Sequence, residues 1–536
     1  TPMLCARFLK NPHEMKPKGY ELWLDATFNK FQNLYRGSLE VVLRHQKIML
    51  LVTAASIGFS VYLFMVVPKG FFPLEDTGFI FAQTEAAQDV SFSAMLEKQK
   101  RVAEIVKANP HVTDVFFALG GGRGSYNSGR IFFGLKERGK RPPASAIIQQ
   151  LRKDTAAVEG VKVFMQPVQN FSISGRLAKS LYQYTLQGSD LEGLYAWSDK
   201  LLELMSKDPI FQDVTSDLQL KSLQAILDVQ QDKAASYGIT NEMIRDVLYN
   251  AYGSAQVASI YTPSNDYAVI LEADETFQQS PEAIGQLFIK GTNGNVPLGE
   301  IATIRRAVGP LSINHQGQLP AVTLSYNLAP GKSLGEASQK IDEYKKQLSM
   351  PENITGSAQG TAQAFQASSS GQGMLILLAI IVIYIILGML YESFVHPVTI
   401  LSGLPSAGIG AILFLMLFGM DLNVFSLVGV ILLIGIVKKN AIMMVDFAMQ
   451  ARSSGKTPHD AIYEACILRF RPIMMTTFAA LFGTLPIALG IGAGSELRQP
   501  LGIAIVGGLL VSQLLTLYIT PVVYLWLEKK DKKVSN

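Results

Sequence analysis

Six long apolar runs constrain the fold of this chain more than any other feature of its sequence. Each run is close to the roughly 20 residues that a helix needs to cross a bilayer. Between the first run and the second lies a long polar stretch with the composition of a soluble protein. The sequence therefore predicts a polytopic α-helical membrane protein with one large extramembrane region. The predicted spans are residues 48–67, 374–390, 398–419, 424–448, 472–492 and 502–527.

Basic residues predict the orientation of these spans. They concentrate in residues 1–47, in the predicted loop 449–471 and in the tail EKKDKK, whereas the predicted loop 493–500 carries a single arginine. With six spans the three basic segments share one side of the membrane, which the positive-inside rule makes cytoplasmic. The only cysteines, Cys5 and Cys466, fall on that side, so we expect no structural disulfide. The net charge of +4 comes from these flanks and does not suggest nucleic-acid binding.

The N-terminal segment carries two further signals. Residues 17–45 have apolar and aromatic side chains at helical spacing, which predicts an amphipathic helix along the cytoplasmic membrane interface rather than a soluble hairpin. The chain also opens with TPMLCARFLK, and its last span ends with TPVVYLWLEKK. Unless this match is chance, the repeated pattern suggests a duplicated transporter of which this sequence is the second half.

Two adjacent lysines, Lys438 and Lys439, stand in the middle of the apolar stretch 427–448. An ammonium at the centre of a spanning helix costs at least about 2.5–3.5 kcal/mol, so it persists mainly where it has a partner or a water-filled path. No other predicted span carries an acid in its middle, and Asp446 lies near the end of this one. We therefore expect the partner acid outside this sequence. Such a lysine is typical of an ion or proton relay, with a structural ion pair as the alternative.

The extramembrane region repeats a strand, a helix of about four turns, an Asn/Asp-Pro break and a second strand. This order predicts two α/β modules built from βαβ units. An insertion interrupts the second module, and its Asn293-Gly294 pair predicts a tight hairpin turn. The predicted divisions are 1–47 (cytoplasmic segment with the interfacial helix), 48–68 (first span), 69–168 (first module), 169–221 with 308–370 (second module), 222–307 (insertion), 371–528 (five spans) and 529–536 (cytoplasmic tail).

The loop GGGRGSYNSGR, residues 120–130, invites a phosphate-binding interpretation. It lacks the GK[ST] ending, and a lone glycine run is weak evidence for a nucleotide site. A mobile gate beside aromatic residues is the better interpretation, although those phenylalanines are equally well explained as strand core. The sequence contains no nucleophile–base constellation, cofactor fingerprint or metal-ligand cluster, so we expect no enzyme. Its adjacent methionine pairs point about 100° apart on a helix, which favours packing over soft-metal transport.

Several segments together resemble the C-terminal half of a resistance–nodulation–division efflux permease. They are GIVKKNAIMMVDFA, LRFRPIMMTTFAALFGTLP, LYESFVHP, APGKSLGEA and PKGFFPLEDTG. The resemblance covers the whole chain in order and fits the hydrophobe/amphiphile multidrug branch, within it the subgroup of heteromeric pumps. It implies a trimeric permease of the bacterial inner membrane with a large periplasmic region, in which the two α/β modules are porter modules and the insertion 222–307 is a docking subdomain. Such a proton antiporter uses the proton motive force and no cofactor, and it passes small amphiphilic substrates to a periplasmic adaptor protein and an outer-membrane channel.

The same resemblance implies roles for individual residues. The proton relay would comprise Lys439, Asn440, Thr476 (one turn into its span) and Arg469, while the relay aspartates belong to the absent N-terminal half. Protonation of those acids would release Lys439, and small residues such as Gly410 and Gly507 would let the helices shift in close contact. The switch loop and substrate pocket would comprise Phe117, Gly120, Gly121, Gly122, Arg123, Gly124 and Phe132. The docking tip would comprise Thr292, Asn293, Gly294 and Asn295.

Alternatives remain at this point. A heavy-metal or lipid exporter of the same superfamily would share most of these features, as would a subunit that supports a partner permease without coupling to protons. A membrane-anchored scaffold or sensor would need no charge within its spans, so the lysines argue against it. Lys438 stands where many family members have a small residue, and it either faces lipid headgroups or adds to the site. The sequence leaves open a homomeric or heteromeric trimer, and a fragment or a natural half-subunit.

Overall fold

The computed structural model describes residues 19–120, 126–171, 173, 179–310, 312–492 and 494–534, together with Met3. In this part of the chain six helices are long and apolar enough to cross a membrane, which confirms the predicted number of spans. They are Gln46–Val66, Thr361–Tyr391, Val395–Leu417, Val424–Ser453, Pro458–Ala488 and Ser495–Glu528. A large α+β region lies between the first of these helices and the second.

The amphipathic N-terminal segment forms helix α1 (Gly19–Arg44), which is followed directly by the first spanning helix α2 (Gln46–Val66). Tyr35 and Leu39 of α1 are buried in a core shared with the cytoplasmic half of the helix bundle. The hydroxyl of Tyr35 donates a hydrogen bond of 2.9 Å to the Leu517 carbonyl. The opposite side of α1 exposes apolar side chains such as Trp23. Two apolar sides suit a helix that lies between the bundle and a lipid interface.

The first module is a four-stranded antiparallel sheet with two helices on one face. Strand β3 pairs with both β1 and β2, so β1 and β2 run parallel with β3 between them. The strand order is β2-β3-β1-β4, which is the split βαβ arrangement. The elements are β1 (Phe79–Ala86), α3 (Phe92–Ala108), β2 (Val112–Leu119), β3 (Ser128–Leu135), α4 (Ala144–Thr155) and β4 (Val161–Pro167).

The second module begins with β5 (Tyr182–Gly188), α5 (Leu191–Lys207) and β6 (Phe211–Ser216), after which the insertion follows. Strands β7 and β12 pair with each other, so the insertion leaves and returns through a two-stranded stem. The insertion comprises β7 (Ser222–Val229), α6 (Gln231–Ser236), α7 (Asn241–Tyr252), β8 (Ala255–Tyr261), β9 (Asp266–Leu271), α8 (Glu275–Gln278), a 3-10 helix (Pro281–Gln286), β10 (Phe288–Gly291), β11 (Gly294–Pro297), α9 (Leu298–Ile301) and β12 (Ala302–Gly309).

The hairpin predicted in the insertion is present as β10 and β11, whose pairing ends at Gly291 and Gly294. Its two turn residues are therefore Thr292 and Asn293, one position before the predicted Asn293-Gly294 pair. Gly294 instead closes the turn with a φ of 131°, a backbone conformation that favours glycine. The turn is thus in the predicted place, but the glycine acts as its last paired residue.

The second module is completed by β13 (His315–Gln316), β14 (Leu319–Leu328), α10 (Leu334–Gln347) and β15 (Ile354–Gln359). Strand β14 pairs with both β5 and β6, and β15 pairs with β5. Apart from the short β13, this order repeats that of the first module. The insertion occupies the place between β6 and β14 that the glycine-rich loop occupies between β2 and β3. The sequence had not indicated β15, which leads directly into the second spanning helix.

The remaining spans differ from their predicted limits. The loop predicted at 449–471 is wrong, because helices on both sides continue until only residues 454–457 connect them. The loop predicted at 493–500 is wrong for the same reason, since the last helix begins at Ser495. The third span is broken near Gly403, where Pro405 cannot donate a helical hydrogen bond. The helices are α11 (Thr361–Tyr391), α12 (Val395–Leu401), α13 (Leu404–Leu417), α14 (Val424–Ser453), α15 (Pro458–Ala488) and α16 (Ser495–Val534).

Glycines let the backbones of these helices approach one another. A Cβ atom added at Gly507 of α16 would lie 2.4 Å from the Phe414 side chain and 2.6 Å from the carbonyl oxygen of Gly410 on α13. A Cβ atom at Gly508 would lie 2.2 Å from the side chain of Leu433 on α14. The expectation of close helix contact through small residues is therefore confirmed, and α16 lies against both neighbours.

Candidate functional site

The two lysines and Asn440 lie halfway along α14 but point in three directions. Lys439 is the middle residue of the 30-residue helix, about 20 Å from either end. Its side chain is exposed, whereas Lys438 is only 4% exposed and Asn440 only 6% exposed. Successive side chains on a helix are separated by about 100°, so packing on one side of α14 decides which of the three is enclosed. The structure therefore shows that the two lysines differ in exposure, which the sequence could not show.

Asn440 belongs to a buried polar cluster that joins three helices. Its amide nitrogen donates hydrogen bonds to Thr477 Oγ1 of α15 at 3.3 Å and to Gln513 Oε1 of α16 at 3.1 Å. Thr477 also donates to Gln513 Oε1 at 2.7 Å. All three side chains are at most 7% exposed. Sequence reasoning missed Thr477 and Gln513, although a glutamine within the apolar run GGLLVSQLLTLY was a visible signal.

The lysines have no counter-charge in the part of the chain that the structure describes. Neither Lys438 nor Lys439 forms an ion pair there, and the Nζ atom of Lys438 also has no hydrogen-bond partner there. Asp446, two turns further along α14, accepts a hydrogen bond of 3.3 Å from Gln450 instead. The exposed lysine thus presents an unneutralised charge on an outer face of the bundle, at the depth of the membrane centre.

The other two predicted relay residues lie on α15 and do not bond to Lys439. Thr476 lies in the middle of α15 rather than one turn into it, because the helix begins at Pro458. Its hydroxyl donates to the Ile473 carbonyl of its own helix at 3.1 Å. The guanidinium of Arg469 lies over the ring of Phe447 with 5.2 Å to the ring centroid. Of the four predicted relay residues, the structure brings only Asn440 into a hydrogen-bonded network between helices.

The predicted substrate residues that the structure describes lie on β2 and β3 of the first sheet or directly after β2. Phe132 of β3 lies on the face opposite α3 and α4, where its ring contacts that of Phe81 at 5.0 Å between centroids. Phe133 points to the other face and belongs to the module core, so the strand-core interpretation holds for it. Phe117 is 38% exposed near the end of β2. Gly120 follows with a φ of 75°, while Gly121, Gly122, Arg123 and Gly124 lie outside the described residues.

The predicted docking tip is an exposed turn at the end of the β10–β11 hairpin. All four of its residues, Thr292, Asn293, Gly294 and Asn295, are exposed. The backbone N–H of Thr292 donates a hydrogen bond of 2.9 Å to the carbonyl of Tyr237, which anchors the turn to the body of the insertion. The tip is therefore held in place but covered by nothing within the described chain.

A cavity of about 1110 Å³ lies where the two modules meet the extramembrane ends of the spans. Phe71, Phe72 and Met420 contribute apolar walls, and Asp421 and Arg152 are among its charged residues. Burial, and after it the charge of nearby Glu336, raises the pKa of Asp421 above its ordinary value. A cavity with aromatic walls and a few charges suits a molecule that has both apolar and polar parts. Within the described residues no cluster of three or more His, Cys, Asp or Glu could hold a metal ion.

Comparison with known proteins identifies the family. The model of the AcrB/AcrD/AcrF family matches residues 1–528. The chain is 45% identical over 542 residues to the multidrug resistance protein MdtC of Klebsiella pneumoniae and 46% identical over 542 residues to MdtC of Escherichia coli. Each alignment covers 100% of this chain and 52% of the relative, so the chain spans about half the length of these curated relatives.

A solved structure has the same fold. A crystal structure of a heavy metal efflux pump superposes with a TM-score of 0.83 at 23% sequence identity, covering 94% of this chain and 53% of the pump chain. At that identity the likeness shows the fold alone. The six spans and the family match make this a multi-pass protein of the bacterial inner membrane with a large periplasmic region. The predicted resemblance is thereby confirmed: the chain belongs to the AcrB/AcrD/AcrF family of resistance–nodulation–division permeases and corresponds to their C-terminal half.

Proposed function

We propose that this chain is the C-terminal half of a permease that exports small amphiphilic compounds, drugs among them, in exchange for protons. Lys439 carries the proposal, because it is an exposed cation at mid-membrane depth with no acid near it in the described chain. A charge in that position is too costly to face lipid. The outer face of α14 that carries Lys439 is therefore where the N-terminal half packs. That half supplies the carboxylates that neutralise Lys439.

Proton coupling follows from this arrangement. While the acids of the other half are ionised, Lys439 is held against them as a counter-ion. A proton arriving from the periplasm neutralises an acid, which removes the attraction, and the helices then favour a second packing. Asn440 points about 100° away from Lys439, into the bundle, and its bonds to Thr477 and Gln513 fix the rotation of α14, so that Lys439 keeps its outward direction. The driving force is the proton motive force, and no cofactor takes part.

Two features outside the membrane support amphiphilic substrates. The cavity between the modules and the spans joins aromatic walls to charged groups just beyond the membrane boundary, where a molecule leaving the outer leaflet would arrive. On the first sheet, the partly exposed Phe132 lies against the buried Phe81 and offers a second aromatic contact, on the strand that follows the glycine-rich loop in the sequence. The exposed tip Thr292–Asn295 would then meet the outer-membrane channel, in a trimer that also binds a periplasmic adaptor protein. The MdtC relatives are named multidrug resistance proteins, which agrees with this class of substrate.

The test uses the full-length permease in proteoliposomes with an imposed pH gradient and a fluorescent amphiphilic dye. We expect Lys439→Ala to reduce gradient-driven dye transport to the level of vesicles without a gradient, because the acids lose their counter-ion. Lys456→Ala is the control, since Lys456 lies on the cytoplasmic side and pairs with Glu464 there. Dye transport at the wild-type rate in Lys439→Ala would contradict the relay role.

A subunit that supports a partner permease without coupling to protons would give a different result. Its Lys439→Ala variant would transport normally, whereas the corresponding change in the partner permease would stop transport. Testing the two changes separately in the assembled pump therefore distinguishes the two functions. We expect the change in this chain to be inactivating by itself.

A further inference from the structure

We propose that the contact between Arg138 and Glu496 transmits the movement of the proton-coupled helices to the first porter module. Arg138 lies on the loop between β3 and α4, and Glu496 lies in the first turn of α16. The inference rests on the proposed function, because it assumes that the helices move with proton binding. It assigns a coupling role to two residues that lie far from the lysines, at the border of the cavity between the modules and the spans.

Three contacts join Arg138 to the start of α16. Its guanidinium forms an ion pair of 2.7 Å with Glu496 Oε1. It also donates hydrogen bonds to Ser495 Oγ at 3.2 Å and to the carbonyl oxygen of Gly492 at 3.5 Å. A forked guanidinium that contacts one helix end at several points constrains direction as well as distance. Movement of this helix end is therefore passed to Arg138.

On the porter side, Arg138 is attached to a stiff loop. The guanidinium of Arg141, three residues further on, bonds both carboxylate oxygens of Asp76 at 2.8 and 2.6 Å, and its side chain is only 2% exposed. Arg141 also donates to the Lys136 carbonyl at 2.6 Å, and the N–H of Ala144 donates to Asp76 at 2.9 Å. These bonds join the two ends of the loop to each other and attach Arg141 and Ala144 to Asp76, just before β1. A displacement of Arg138 is consequently a displacement of the whole module.

On the membrane side, α16 reaches the polar cluster beside the lysines. Gln513 lies 17 residues beyond Glu496, about 25 Å along the helix, and bonds to Asn440 next to Lys439. The contacts at Gly507 and Gly508 leave α16 no space to move independently of α13 and α14. Coupling between distant sites needs a contiguous set of packed elements, and α16 with the 136–144 loop provides one.

The same contact also borders the cavity between the modules and the spans. Arg138 and Glu496 both line it, together with Arg141 and Asp76. A shift of the α16 end against the loop would therefore change the width of the cavity at the moment the helices rearrange. Proton binding and substrate access would be linked through one pair of side chains.

The test compares substrate transport with proton influx in proteoliposomes that contain the full-length permease. Arg138→Ala and Glu496→Gln should each lower the number of dye molecules moved per proton by at least about fivefold, a typical coupling effect. The double variant should show the same loss as either single variant, because both changes break one contact. Arg138→Lys keeps the charge pair and should retain most of the wild-type ratio.

Lys140→Ala is the matched control. Lys140 lies on the same loop and pairs with Glu137, but both side chains are at least 73% exposed and the pair does not contact α16. The variant should keep the wild-type ratio. An unchanged ratio in Arg138→Ala and Glu496→Gln, or losses that add in the double variant, would overturn the inference. Such a result would leave the proposed function intact as long as Lys439→Ala still abolishes gradient-driven transport.

Discussion

Among the described residues, the periplasmic region pairs three enclosed basic side chains with acids, whereas the middle of the helix bundle leaves two lysines without an acid. The three partly or fully buried pairs in the porter modules are Arg141–Asp76, Arg152–Asp213 and Lys179–Glu85, each with an N–O distance of 2.6 or 2.7 Å. In the bundle, Lys438 and Lys439 have no such partner among the described residues. The porter modules thus neutralise these charges within the chain, and the two lysines support the proposal that the bundle packs against a second half.

Two of these ion pairs also hold the porter modules together. Arg141–Asp76 lies within the first module, but Arg152–Asp213 and Lys179–Glu85 link the first module to the second module or to the segment leading into it. Asp213 adopts a positive φ of 54°, an unfavourable conformation for a residue other than glycine, and its carboxylate also accepts a hydrogen bond from Asn327 at 2.9 Å. The modules are therefore fixed to each other by charges that the chain itself supplies.

The largest effect is expected from breaking the buried porter pair. Arg141→Ala should destabilise the first module by about 3 kcal/mol, because it leaves Asp76 buried without its counter-charge. Hydrogen exchange of the 136–144 loop in the purified permease measures this locally. Lys140→Ala, which breaks only an exposed pair on the same loop, should cost less than about 1 kcal/mol. Equal hydrogen-exchange protection of the loop in Arg141→Ala and Lys140→Ala would mean that the Arg141–Asp76 pair does not stabilise the module.

The pH dependence of this pair has a definite sign. Burial raises the pKa of Asp76, but the hydrogen bonds from Arg141 and the Ala144 N–H outweigh it, so the net pKa is lower than in the unfolded chain. The stabilisation is therefore complete at neutral pH and is lost as the pH falls through the lowered pKa. The difference between wild type and Arg141→Ala should shrink on acidification from pH ~7 to pH ~3. A difference that grows in acid would refute this assignment.

An intermediate effect is expected from breaking the buried polar cluster of Asn440, Thr477 and Gln513 in the bundle. Gln513→Leu removes the acceptor shared by Asn440 and Thr477 and should cost about 1–2 kcal/mol, the upper range for hydrogen bonds between spanning helices. The thermal midpoint of the purified permease reports the loss. Adding Asn440→Leu should cost less than the same change in the wild type, because its bond to Gln513 is already gone and only its bond to Thr477 remains. Fully additive losses would show that the cluster is not one unit.

The smallest effect is expected at Lys438. Replacing it by leucine removes a buried charge that has no partner in the described chain, so stability should stay the same or rise slightly. The thermal midpoint of the purified permease measures this change in stability, and Lys439→Leu is measured in parallel for comparison. A marked loss of stability in Lys438→Leu would show that the N-terminal half closes a pair with this lysine too, and the contrast between the two lysines would disappear.

Sequence patterns predicted what depends on composition over many residues. The six spans, the repeated porter units and the hairpin at residues 291–294 all follow from apolar runs, element order and turn chemistry. The limits of α14 and α15 were wrong because hydropathy marks where a helix leaves the apolar layer, not where it ends. Charged residues such as Arg452 lie on helical turns beyond that layer, so a basic segment was interpreted as a loop.

The details of the candidate site depend on packing, which a single sequence does not encode locally. Lys438 and Lys439 are chemically identical neighbours, yet one is enclosed and the other exposed, because other helices pack on only part of α14. Thr476 and Thr477 differ in the same way: the first bonds to its own helix and the second joins the cluster with Gln513. The relay position of Lys439 was predicted from the resemblance, whereas its exposed face required the structure.

The proposed relay is tested most directly by the distance from Lys439 Nζ to the nearest carboxylate in an experimental structure of the full permease at neutral pH. We predict an acid from the N-terminal half within about 4 Å, the range in which opposite charges strongly affect each other. We also predict a longer separation in a protonated state of the same protein. A Lys439 that faces lipid, or that pairs with an acid of this half, would contradict the claim that the bundle is one side of a shared relay.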